Sequence, residues 1–165
     1  MDDMNDNRVA VTKLLSMLGG ANPAFRREAA TQLGLMLPRS KKVIRALGMA
    51  LNDKDNEVAQ RAGIALFSYG VGCKLVITAV INALEHSDVC VRRVAAGILF
   101  LLGPDPESKS ALPVLEQLVN DPDASLRGWA RQALNSIKGS CDLHDHRTIL
   151  RGSPQRDFPD PDVTI

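Results

Sequence analysis

Apolar residues recur along this chain in two interleaved stripes. The first runs Val11, Leu14, Leu18, then Ile44, Leu47, Leu51, then Ile77, Val80, Leu84, and last Leu112, Leu115, Val119. Its i, i+3, i+7 spacing describes one face of a helix. The second begins at Phe25, Val58, Val91 and Leu126, which lie 33, 33 and 35 residues apart. Four residues on stand Ala29, Ala62, Ala95 and Ala130, and eight on stand Leu33, Leu66, Leu99 and Leu134. This i, i+4, i+8 pattern is again helical. Between the stripes lie "GGANP", "NDKDN", "EHSD" and "NDPDA", whose Gly, Asn, Asp and Pro stop one helix and cap the next. Asn22 before Pro23 and Asp121 before Pro122 read as caps beside a proline suited to a first helical turn.

The pattern predicts an all-α fold, a right-handed α-solenoid of four two-helix repeats. A hairpin of this length cannot bury its apolar face alone and must stack on its neighbours. The expected organisation is a polar lead (1–7), repeats over about 8–38, 39–72, 73–106 and 107–138, and an irregular tail (139–165). Nine consecutive residues without a polar side chain, Val94 to Leu102, fall far short of the roughly 20 needed to span a bilayer. Their helical register makes them the second helix of a middle repeat, apolar nearly all round because neighbours cover both sides.

Composition narrows the function classes. An apolar content of 45% with 24% charged residues suits a folded chain, and the 4% of aromatics with abundant Ala and Leu favours helices. The net charge of +1 argues against a generic nucleic-acid or membrane-surface binder. The opening "MDDMNDN" lacks the basic and apolar regions of a signal peptide. Cys73, Cys90 and Cys141 are odd in number and irregularly spaced, which predicts no disulfide framework and a cytoplasmic location.

"DPDASLRGWARQAL", "SDVCVRRVAAGIL" and "LGPDPESKSALPVLEQLVNDPD" resemble HEAT repeats of the short bacterial, phycobilisome-lyase-type class, over roughly residues 8–138. The resemblance implies that an Asp caps each second helix while an Arg bridges adjacent repeats in a polar ladder. The matching positions are Asp88 with Arg92 and Asp123 with Arg127. Repeat one has Asn22 with Arg26. Repeat two has Asp55 with Ala59, a gap at which Arg61 is a possible substitute. Iron hydroxylases built of similar repeats carry His-Glu pairs on facing helices; Glu85-His86 occurs once and reversed, so no such enzyme is implied.

The expected function is therefore a non-enzymatic scaffold or adaptor, monomeric and without a cofactor. It would bind an unidentified protein partner on a concave face lined by the second helices through Arg27, Gln60, Arg93, Trp129 and Arg131. Trp129 stands where the other repeats have Glu28, Arg61 and Val94, so it is either covered by the tail or available as an anchor. The alternative is nucleic-acid binding by Arg39, Lys41, Lys42 and Arg45 with the concave arginines. A further one, implied by the resemblance alone, is an accessory or chaperone subunit of a lyase-like enzyme. Cys141, His144 and His146 are ligand types, but their spacing and the lack of a second half-site predict no metal site. Cys90 beside Arg92 and Arg93 has no histidine at a recognisable partner position and reads as a half-buried packing residue. The tail could be a cap over repeat four anchored by Ile149 and Leu150 or a free peptide for a partner; the expected form is docking through about residue 151 with disorder beyond.

Overall fold

The computed structural model describes residues 3–36 and 40–139, with residues 3–7 and 71 by backbone alone. Among the described residues eight α-helices follow in chain order: α1 (Asp3–Leu18), α2 (Pro23–Leu35), α3 (Lys41–Ala50), α4 (Asn56–Tyr69), α5 (Ile77–Asn82), α6 (Val89–Leu102), α7 (Leu112–Leu118) and α8 (Ala124–Lys138). No strand occurs among the described residues. The helices pair as α1–α2, α3–α4, α5–α6 and α7–α8, four hairpins stacked in chain order, so the fold is the expected α-solenoid. Two first helices are short because 3-10 segments, Gly70–Val76 and Ser108–Ala111, lead into α5 and α7. The expected tail cap lies outside the described residues.

Each second helix starts where a side chain can satisfy its free amides. Asn22 accepts from the Ala24 amide, Asp55 from Val58, Asp88 from Cys90 and Val91, and Asp123 from Leu126. The last of these corrects the reading of Asp121 with Pro122 as the cap and first turn. Asp123 stands three residues before Leu126, as Asp55 does before Val58, and that spacing lets the carboxylate reach the third amide. Asp121 instead accepts from the Asp123 amide. Gly70 and Gly103 end α4 and α6 at φ of 57° and 67°, a conformation that a side chain resists.

The recurring slots form the core. Ala29, Ala62, Ala95 and Ala130 are fully buried, as are Leu33, Leu66 and Leu99. Val58, Val91 and Leu126 are also at 0% exposure, yet Phe25 in the same slot is 56% exposed. Leu126 is covered although no described hairpin follows it, so the cover comes from its own or the preceding hairpin. Phe25 has none before it. The same end effect leaves Val11 and Leu14 only partly buried, whereas Ile44, Leu47, Ile77 and Val80 are inside.

Small residues let the second helices approach. A Cβ on Gly34 of α2 would lie 2.8 Å from the Ala65 Cβ in α4, and one on Gly97 of α6 would lie 2.9 Å from the Phe67 ring in α4. No described helix is long and apolar enough to cross a membrane. Truncation of Leu99 to Ala is expected to cost about 2–5 kcal/mol in urea unfolding, because close-packed neighbours on both sides cannot collapse into the void. Leu118→Ala, at a half-buried position of the last hairpin, should cost clearly less. Equal losses would contradict this packing.

Candidate protein-binding groove and inter-repeat ladder

Two rows of polar contacts tie each hairpin to the next. In the first, Arg26 donates from Nη1 to the carbonyls of Gly20 and Ala21 in its own turn. Its Nε and Nη2 then grip Asp53 of the next repeat at 2.8 and 2.9 Å. Arg92 repeats this, with Nη1 on His86 and Ser87 carbonyls and Nη2 on Asp121 at 3.3 Å. Arg127 makes the same turn contacts, to Asp121 and Pro122. The side chains of Arg26 and Asp53 are only 7% and 14% exposed, so this bidentate pair is shielded from the solvent that weakens surface ion pairs.

In the second row, Arg27 holds Asp55 through Nε and Nη2 at 3.0 and 2.7 Å and also meets Glu57. Gln60 donates to Asp88 at 3.0 Å, and Arg93 grips Asp123 at 2.9 and 2.6 Å. The ladder gap at Ala59 is real, and Arg61 does not fill it. Arg61 reaches backward to the Thr31 hydroxyl in repeat one. Repeats two and three are joined instead by Gln60 and by Asn52, which donates to the Ala79 carbonyl.

These contacts set the carboxylates' ionisation. The hydrogen bond from Arg27, then the Val58 amide, pulls Asp55 from its ordinary 3.8 down to about 2. Arg93 and the Leu126 amide lower Asp123 in the same way. At Asp88 burial pushes upward, but the amides of Val91 and Cys90 together with Gln60 outweigh it and the net shift is down. Arg26, Arg27 and Arg93 are each raised, chiefly by the hydrogen bond to their aspartate.

Beside the ladder the second helices leave a groove. One hollow of about 630 Å³ lies between α2 and α4, with Ala30, Gly34, Leu35, Arg61 and Ile64 among its walls. A second, of about 290 Å³, is walled by Ile64, Phe67, Cys90, Arg93, Val94 and Trp129. Ile64 lines both, so the two hollows adjoin at that residue, one on the α2 side and one toward α8. Leu35 and Ile64 are 76% and 62% exposed there, an apolar floor open to solvent.

The expected site residues divide accordingly. Arg27, Gln60 and Arg93 sit in the ladder, with Gln60 and Arg93 also edging the groove. Trp129 lies in the groove wall, edge-on to Phe67 with centroids 6.0 Å apart and tilted against Phe100 at 6.1 Å. Arg131 is exposed but elsewhere. It occupies the slot of Ala30, Gly63 and Ala96; Gly63 there faces Val94 of the following repeat, so Arg131 faces off the end of the stack. Lys41, Lys42 and Arg45 are exposed on α3, a first helix, and are not brought beside the groove. Arg39, Cys141, His144 and His146 lie outside the described residues.

Sequence reasoning missed Leu35, Ile64, Phe67 and Val94. The usable signal was exception rather than recurrence: Ile64 stands where the other repeats have Thr31, Gly97 and Gln132, and Phe67 where they have Gly34, Phe100 and Asn135. Cys90 is half-buried and has no histidine base among the described residues: His86 Nδ1 accepts from the Asp88 amide. No cluster of metal-binding side chains occurs among the described residues.

Comparison with known proteins agrees with this geometry. A family model for HEAT repeats matches residues 45–135. No curated protein matches the chain. Among solved structures, an engineered protein aligns with a TM-score of 0.63 at 22% identity, covering 79% of this chain and 63% of its own. A designed armadillo repeat protein in complex with the peptide (KR)4 aligns at 0.65 and 21%, covering 78% and 64%. The CpcE–CpcF complex of phycocyanin lyase from Nostoc sp. PCC7120 aligns at 0.52 and 19%, covering 78% and 65%. The chain thus spans less than two thirds of the length of these structures.

Asp55 titrates lower folded than unfolded, so its contribution to stability is complete above about pH 4 and is lost as pH falls toward 2. Melting temperature should therefore drop across that window, and more shallowly in Asp55→Asn, which should also be less stable at neutral pH. Parallel pH profiles for the two proteins would show that the ladder does not contribute.

Proposed function

The chain belongs to the HEAT-repeat family, and from that premise we propose that it is a non-enzymatic scaffold that binds a protein segment along its second-helix groove. The observation that carries this reading is the open apolar floor made by Leu35 and Ile64, continued by Phe67, Val94 and Trp129. Apolar side chains of a partner would gain roughly 25 cal/mol per Å² buried there, and Trp129 would be its aromatic anchor. Arg61, Glu57 and Arg93 give the rim polar groups that fix orientation. Repeat scaffolds of this kind are typically non-catalytic, and one armadillo neighbour was solved with a bound peptide. The alternative of an accessory or chaperone subunit of a lyase-like enzyme, kept open by the likeness to the phycocyanin lyase complex, would use the same groove for its client. We place the protein in the cytoplasm as a monomer; the odd number and irregular spacing of Cys73, Cys90 and Cys141 suit a reducing compartment.

One observation favours a second reading. Lys41, Lys42 and Arg45 are exposed on α3, and no described carboxylate pairs with them, so this face is open to phosphates.

The two readings separate cleanly. Against a partner captured by the full chain, Leu35→Glu and Ile64→Glu should weaken binding at least tenfold, about 1.4 kcal/mol, while Lys41→Glu with Lys42→Glu leaves it unchanged. Both groove positions are exposed, so neither change should alter thermal unfolding by much. Binding lost only with the lysines, and falling steeply with salt, would replace the scaffold with a nucleic-acid binder.

A further inference from the structure

The ladder follows a six-residue pattern in the turn before each second helix: "GANPAF" (20–25), "DKDNEV" (53–58), "HSDVCV" (86–91) and "DPDASL" (121–126). Its sixth residue is the apolar anchor and its third is the cap, Asn22, Asp55, Asp88 or Asp123. Its first residue is the carboxylate taken by the preceding repeat's arginine, Asp53 for Arg26 and Asp121 for Arg92. Where the donor is missing, at Ala59, the acceptor is missing too, since His86 holds that place. Donor and acceptor come and go together.

Arg127 is therefore an anomaly. Its Nη1 is held by the carbonyls of Asp121 and Pro122 at 2.8 and 2.9 Å, the same posture that points the other edge of Arg26 at Asp53. No described residue offers a carboxylate to that edge of Arg127, which is half-buried. A guanidinium held in place with its Nε and Nη2 donors unpaired among the described residues favours an anionic acceptor. One further segment of the chain has an aspartate carboxylate in the first place as well as a cap residue in the third and an apolar residue in the sixth, "DPDVTI" at 160–165, with Asp160 in the acceptor place, Asp162 in the cap place and Ile165 in the anchor place.

We propose that residues 160–165 dock on the outer flank of α8, with the Asp160 carboxylate taking the open edge of Arg127 as Asp53 takes that of Arg26. The chain length permits it. Twenty residues, 140–159, separate Gly139 from Asp160, against seventeen, 104–120, between Gly103 and Asp121. α8 is about 22 Å long at 1.5 Å per residue, and twenty extended residues reach roughly 66 Å. Arg131, which faces off the end of the stack, adds a second cation to the docking flank. The second ladder row has no counterpart, because Gly128 stands where Arg27 and Arg93 do, so the segment is held by one row.

The test is a carbon-13 NMR titration of the aspartate carboxyls in the full chain. Asp160 should titrate about one unit or more below the ordinary Asp value, and Arg127→Gln should remove that depression. Asp157, Asp162 and Arg156 are the same in both proteins, so the difference isolates Arg127. Should Arg127→Gln unfold, Asp160→Asn serves in its place, because it changes no described residue; the Arg127 Nε–H resonance should then shift. An Asp160 titration that is ordinary and indifferent to position 127, or an Arg127 resonance unmoved by Asp160→Asn, overturns the proposal. Labelled chain mixed with a tenfold excess of unlabelled Arg127→Gln chain should keep its depressed titration; loss of it would mean exchange between two copies and would equally overturn docking within one.

Discussion

A two-helix hairpin of this length has more apolar surface than it can cover by itself, and every other feature of the molecule follows from that imbalance. The stripes of α3 and α4 or of α5 and α6 are satisfied only when the next hairpin lies against them. Close stacking in turn requires small residues at the crossing points. Gly34 against Ala65, Gly63 against Val94 and Gly97 against Phe67 bring backbones to distances at which a further methyl group would have to displace a neighbour. Burial is therefore continuous through the middle repeats and fades at the first, where Val11 and Leu14 are half-covered and Phe25 is exposed.

The ladder and the groove are two consequences of the same stacking. Once the second helices lie side by side, an arginine one residue after the anchor falls opposite the turn that opens the next second helix. Its fork then meets a carboxylate in matched geometry. Apolar burial supplies most of the attraction, while these directional pairs fix which turn meets which. Beside the ladder, side chains outside the recurring slots stay partly open to solvent. Where those are Leu35, Ile64 and Phe67, the surface left over is apolar and grooved.

The fold was legible in the sequence because burial recurs. Positions such as Ala29, Ala62, Ala95 and Ala130 face the same environment four times, and the same residue type answers each time. The groove was harder to read because it is made at slots where the residue type does not recur, as at Ile64, whose repeat-mates are Thr31, Gly97 and Gln132. Charge misled in the opposite sense. Arg27 and Arg93 look available on a helix face, yet each has an aspartate 28 or 30 residues away that only the stacked geometry brings within reach. The cap of α8 was ambiguous for a similar reason: Asp121 and Asp123 both suit a helix start, and only the reach to the Leu126 amide, with Arg92 claiming Asp121, separates them.

Native-state hydrogen exchange on Leu66→Ala asks most directly whether hairpins stand only by leaning on one another. Leu66 is fully buried in α4, in repeat two. If stacking supplies the stability, loss of its side chain accelerates amide exchange in α2 and α6 as well as in α4. Acceleration confined to α3 and α4, with α2 and α6 protected as before, would mean that each hairpin holds itself together and that mutual burial is not what stabilises the stack.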